Sequence, residues 1–108
     1  MHLTVSREPE LIAVTVSGRF DAHRVDEFER SVVALVDDTR PHVYVDLSEV
    51  ESMDAAAVEV LVRTREAALA HSGTMTIVEV SDAVRTVLAQ TRHEGDFRVS
   101  RSPQRMRA

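Results

Sequence analysis

At 108 residues, with 44% hydrophobic and 29% charged side chains, the chain reads as one domain able to build a core unaided. The absence of cysteine excludes disulfides, thiol catalysis and cysteine–zinc sites together, and no apolar run approaches the roughly 18 residues that would span a bilayer. The net charge of −5 conceals an asymmetry: Arg98, Arg101, Arg105 and Arg107 stand in a terminal stretch without acids, which leaves −9 on residues 1–97. A body so acidic repels a phosphate backbone, so direct contact with nucleic acid is not expected. Met1–Val5 has neither the basic segment nor the apolar run of a signal peptide, and a cytoplasmic module without membrane insertion is the expectation.

Leu3 and Val5 alternate with polar neighbours, Pro9 favours a turn, and Ile12, Val14 and Val16 alternate again, so a hairpin or a pair of neighbouring strands opens the chain. Gly18 ends the second run. Val25, Phe28, Val32 and Leu35/Val36 then recur at helical spacing until Thr39-Arg40-Pro41, where proline disfavours helical geometry in the residue before it. Val43, Val45 and Leu47 predict a central strand that ends at Asp46-Leu47-Ser48, followed by a polar loop from Glu49 to Asp54.

Ala55–His71 contains neither glycine nor proline and predicts a long helix, with Val58, Leu61, Val62, Ala68 and Leu69 inward and Glu59 paired to Arg63 one turn on. Ser72-Gly73 stops it. Met75–Val80 predicts a strand, and Ser81 predicts the cap of a helix that buries Ala83, Val84, Val87 and Leu88. Phe97 and Val99 suggest a short last strand. The order β-β-α-β-α-β-α-β predicts an α/β fold, with a mostly parallel sheet of about five strands and three main helices over residues 1–99. Residues 100–108 are expected to form a basic, flexible tail.

Catalytic patterns are missing. The chain has no nucleophile elbow, Walker-type loop, dinucleotide-binding turn or H-E-x-x-H helix. Its glycines (Gly18, Gly73 and Gly95) are too scattered to wrap a phosphate. His2, His23, His42, His71 and His93 lack a second ligand-forming residue of their kind at helical spacing, and isolated histidines are more often surface or capping residues than metal ligands. No enzyme activity, metal or cofactor is expected.

Attention therefore falls on Asp46-Leu47-Ser48-Glu49-Val50-Glu51-Ser52-Met53-Asp54-Ala55-Ala56-Ala57, where a strand leads through a loop into the long helix. In parallel α/β sheets such carboxyl edges carry function. Asp54 is placed to cap the helix, and capping alone or capping combined with binding both account for it. The three alanines are ordinary helix formers when taken alone.

The arrangement resembles the STAS domain of bacterial anti-sigma factor antagonists from about Leu11 to Leu88. The likeness lies in Asp46-Leu47-Ser48 followed after five residues by Asp54, in Gly18-Arg19-Phe20-Asp21 before the first helix, in Gly73, and in Ser81-Asp82-Ala83-Val84. Kinase-regulated members of that family carry Asp-Ser-Ser-Gly or Asp-Ser-Thr-Gly at the helix start, with the second hydroxyl taking the phosphate. Here the register reads Asp54-Ala55-Ala56-Ala57, and Ala56 has no oxygen to modify. Ser52, the nearest hydroxyl, lies two residues before Asp54 and is expected to bond local backbone.

The resemblance implies a binding protein whose partner is an anti-sigma factor, in some relatives itself a serine kinase, and whose contact surface comprises Asp21, His23, Met53, Asp54, Ala55 and Ala56. Asp21 is alternatively a cap for the first helix, and Phe20 and Phe28 are core residues. A second implied role, equally compatible with the lost hydroxyl, is a STAS scaffold docking on a transporter ATPase. Nucleotide or small-anion sensing at the helix amino terminus ranks last, because Asp54 and the acidic body oppose it.

Overall fold

A computed structural model describes residues 1–93, 95 and 97–99, the side chain of Arg98 excepted; the basic segment 100–108 lies outside the described residues. Two strands, β1 (His2–Glu8) and β2 (Leu11–Phe20), pair antiparallel from His2 opposite Ser17 to Glu8 opposite Leu11. The hairpin is tighter than the polar run Arg7-Glu8-Pro9-Glu10 suggests, because only Pro9 and Glu10 lie between the strands and Glu10 takes a left-handed φ of 64°. Then follow α1 (Val25–Ser31), β3 (His42–Met53), α2 (Ala55–Ala70), β4 (Met75–Val80), α3 (Asp82–Gln90) and β5 (Arg98–Val99). The sheet order is β1-β2-β3-β4-β5; only the first pair is antiparallel and the other three are parallel.

Strand alternation makes the sheet one-sided. Ile12 stands level with Val43 and Met75, and Val14 with Val45 and Ile77; these and Val16 are all buried. The intervening positions form an open face, with Thr15 and Tyr44 exposed and Ala13 and Asp46 half-buried. Phe28 and Val32, Val58 and Leu61 of α2, and Val84 and Leu88 of α3 all join one core with the inward strand residues. Phe20 and Phe28 sit inside it, with ring centroids 5.1 Å apart.

The first helix is shorter than its apolar stripe. α1 ends at Ser31, Val32 leaves helical geometry (φ −125°, ψ −61°), and a 3₁₀ turn covers Val33–Leu35. Two adjacent β-branched residues at the break are stiff at χ1 and poor helix formers. Val32 and Val36 still reach the core, so the stripe identified the buried side correctly.

β3 differs more. It does not end at Ser48 but runs twelve residues to Met53, alongside β2 as far as Phe20 opposite Met53. Two register shifts explain why alternation conceals this. From Thr15–Asp46 to Ser17–Glu49, β3 takes one more residue than β2, and from Gly18–Val50 to Arg19–Ser52 it does so again. Each bulge breaks the period of two, so the buried positions after Leu47 are Val50 and Met53, three residues apart. The Asp46 carboxylate stabilises the first bulge, its Oδ1 accepting from Ser48 N (2.9 Å) and Ser48 Oγ (2.7 Å).

In α2, Val58, Leu61 and Ala68 are buried as expected, but Leu69 is 51% exposed and Val60 and Thr64 are fully covered. Thr64 Oγ1 donates to Val60 O at 2.7 Å, which satisfies its buried hydroxyl. Arg63 does not pair with Glu59. It reaches Glu29 on α1, where Nε (2.8 Å) and a terminal guanidinium nitrogen both donate to the one oxygen Oε1.

Both longer helices end in the same way. Gly73 N donates to Ala68 O and Ser72 N to Leu69 O; likewise His93 N donates to Leu88 O and Arg92 N to Ala89 O. These are Schellman closures, with Ser72 (φ 62°) and Arg92 (φ 61°) in the left-handed position where glycine is favoured. Gly73 therefore serves another purpose: a Cβ there would lie 1.9 Å from Pro41 O.

Candidate partner-binding site

The carboxyl ends of β2 and β3 lie side by side, which brings residues some thirty positions apart in sequence into one place. β2 turns into α1 through Asp21–Arg24, and β3 turns directly into α2 at Asp54. The two turns are joined by a single side chain. Asp54 occupies the N-cap position with extended backbone (φ −120°, ψ 179°), and its Oδ1 accepts from Ala57 N at 3.0 Å. Its Oδ2 accepts from Ala22 N, also at 3.0 Å. One carboxylate thus starts the long helix and holds the neighbouring loop against it.

That loop is further ordered by its own aspartate. Asp21 Oδ1 accepts from His23 N at 3.1 Å, and Asp21 O accepts from Arg24 N at 2.9 Å. The expected alternative role of Asp21, capping the first helix, is not what its side chain does. Arg24 holds the N-cap position of α1, without a side-chain cap, and Asp21 closes a turn before it.

Of the six residues expected at the surface, five are accessible and one is not. His23 and Ala55 are exposed, and Asp21, Asp54 and Ala56 are half-buried. Met53 is only 8% exposed and belongs to the core, so it supports the helix start from below. The reason is the prolonged β3: Met53 is the last inward position of a strand, where sequence spacing had placed a loop. Ala22 and Arg24, both exposed, complete the surface. Ala22 contributes through its backbone N–H, for which no side-chain pattern gives a signal.

Chemically the surface is a shallow platform. Ala55 and Ala56 present methyl groups at the first turn of α2, while Ala57 is fully buried beneath. Arg19, Arg24, Glu49, Glu51 and Ser52 are exposed along the adjoining strand ends, so both signs of charge rim the methyl patch. Ser52 lies on β3 rather than in a loop, opposite Arg19. Among the described residues no group of three or more histidines or carboxylates is placed to hold a metal ion, and no helix is long and apolar enough to cross a membrane. The small side chains of Ala55 and Ala56 leave the first turn of α2 sterically open.

A family model, the STAS domain, matches residues 2–106. No curated protein shows significant sequence similarity to the chain. Among solved structures, the anti-sigma factor antagonist of Mycobacterium paratuberculosis is 24% identical and superposes with a TM-score of 0.79, over 95% of this chain and 87% of that one. An anti-sigma-factor antagonist (STAS) domain protein from Planctomyces limnophilus is 20% identical, with a TM-score of 0.80 over 96% and 93%. The Bacillus anti-sigma factor antagonist SpoIIAA, in its unphosphorylated form, is 14% identical, with a TM-score of 0.82 over 98% and 92%.

Proposed function

The chain belongs to the STAS domain family, and from that premise we propose that it acts as an anti-sigma factor antagonist, regulating transcription by binding an anti-sigma factor and thereby releasing a sigma factor. The observation that carries the reading is the Asp54 clamp, which makes the Asp21–Arg24 loop and the Ala55–Ala56 helix start one presented surface. The likeness of the fold to three anti-sigma factor antagonists supports it. Asp21 and His23 would meet polar groups of the partner, Ala55 and Ala56 would let its backbone approach, and Asp54 would hold the geometry, with Met53 packed below.

An alanine at position 56 keeps this access open and offers no oxygen for a phosphate. A negative charge at that point would oppose binding strongly. One like-charge pair 4 Å apart costs about 4 kcal/mol at an effective dielectric near 20, or nearly a thousandfold in affinity. The test is titration calorimetry against candidate anti-sigma factors with the wild type and Ala56→Glu. Tight binding by the wild type and a loss of about a hundredfold or more in the variant are expected. If no anti-sigma factor binds, or if the glutamate leaves affinity unchanged, the proposed surface is wrong. Binding instead to a transporter ATPase would favour the scaffold role.

A further inference from the structure

One edge of the sheet is β1, seven residues long, and its ladder to β2 runs without a bulge from His2–Ser17 to Glu8–Leu11. Which backbone groups that ladder uses follows from a bond on the far side of β2. His42 N donates to Glu10 O at 3.3 Å, so Glu10 and Ile12 turn their backbone groups toward β3, while Leu11, Ala13 and Thr15 turn theirs toward β1. Their partners Glu8, Ser6 and Thr4 are therefore the hydrogen-bonded residues of β1. Leu3, Val5 and Arg7 alternate with them and direct N–H and C=O out of the edge, where among the described residues no hydrogen bond meets them. Proline, lysine and bulges commonly blunt such an edge, and β1 contains none of them. Leu3 and Val5 are also only half-buried on the helix side of the sheet.

We propose that β1 pairs antiparallel with β1 of a second copy about a two-fold axis at Val5, joining the two sheets into one. The strand is self-complementary in this register. Val5 faces Val5, and Leu3 faces Arg7 of the second copy, whose aliphatic stem can lie along it. Each of these pairs exchanges two backbone hydrogen bonds. Thr4 stands opposite Ser6 of the second copy on the open face, a hydroxyl pair that stabilises strand pairing. His2 stands opposite Glu8 of the second copy, and Glu8 has a carboxylate oxygen to offer besides the one that accepts from Ser6 Oγ. An axis elsewhere leaves at least one of Leu3, Val5 and Arg7 without a strand partner, and at Arg7 it also sets guanidinium against guanidinium. None of these residues belongs to the proposed partner surface, so success or failure here is independent of that reading.

Sedimentation equilibrium from about 10 μM to about 1 mM tests the proposal, weak association being expected of a contact between two strand edges. The wild type should shift from one chain to two across that range. Val5→Pro should stay a single chain and keep its fold, because the N–H it removes points away from β2. The absence of cysteine lets cross-linking read the register. Positions 4 and 6 of the two copies would stand about 4.5 Å apart at Cα, within disulfide reach. A mixture of Thr4→Cys and Ser6→Cys should therefore oxidise to a linked pair several-fold faster than either variant alone. A single mass throughout, dimers of folded Val5→Pro, or either cysteine variant alone linking as fast as the mixture would each overturn the proposal. If the proline prevents folding, amide exchange of the wild type decides. Slower exchange at Leu3, Val5 and Arg7 at the top of the concentration range than at the bottom supports edge pairing, and equal exchange overturns it.

Discussion

Replacing Asp54 separates the two tasks of its carboxylate. In Asp54→Ala both bonds are lost: the helix cap to Ala57 N, worth about 1 kcal/mol, and the bond to Ala22 N. The latter is a hydrogen bond to a charged group but half-exposed, so about 1 kcal/mol is the appropriate scale. The total is about 2 kcal/mol, or a fall in Tm of about 8 °C for a domain of this size. Asp54→Asn is the informative variant. Its amide has one acceptor oxygen, while its NH₂ group would face a second N–H, donor against donor. One bond survives and one is lost, at about half the cost of alanine. Urea denaturation supplies the free energies, and amide exchange at Ala22 and Ala57 tells which bond opened. Asparagine should raise exchange at one of these amides and alanine at both. An asparagine variant that protects both amides like the wild type, or exposes both like alanine, would refute the account of the clamp.

Other consequences follow from the packing. Gly73→Ala places a Cβ 1.9 Å from Pro41 O, which is backbone and cannot swing aside, so a loss of roughly 3 kcal/mol in urea denaturation is expected. Gly95→Ala, with nothing among the described residues within 4 Å of the added carbon, should change the same measurement by less than about 0.5 kcal/mol. Ser72→Gly relieves the left-handed strain at the end of α2 and should raise stability by about 0.5–1 kcal/mol, seen as a higher urea midpoint with unchanged m. Asp37 is held below its ordinary carboxylate pKa of 3.8 by the backbone N–H of Arg40, with that of Thr39 also donating to Oδ1. Because the folded-state value is depressed, its stabilising effect is present above 3.8 and lost as pH falls through the folded pKa. A carboxyl NMR titration of the folded protein with a midpoint at or above 3.8 would contradict this turn geometry.

Much of the fold was legible because its signals are local. Alternation located β1, β2 and the first half of β3; alanine and leucine content located α2; Ser81 and Asp54 announced the helix starts they cap, with Ser81 Oγ accepting from Val84 N and Asp54 from Ala57 N. These features depend on a residue and neighbours within about four positions, and such neighbours are written next to one another. The second half of β3 was hidden because two bulges replace the period of two by steps of three, turning strand into apparent polar loop.

The amino-acid sequence alone determined the order of elements, the inward faces of the strands as far as Leu47, the caps of the second and third helices, and the absence of a side-chain oxygen at Ala56. Each follows from the chemistry of single residues or of short-range spacing. Only the tertiary structure decided that Asp54 also grips Ala22, that Met53 lies beneath the surface rather than on it, that Arg63 prefers Glu29 to Glu59, and that Gly73 yields room to Pro41. Each of those depends on two segments meeting across the sheet or between helices. The donor that completes the site is a backbone N–H, which every residue but proline possesses and no sequence pattern distinguishes.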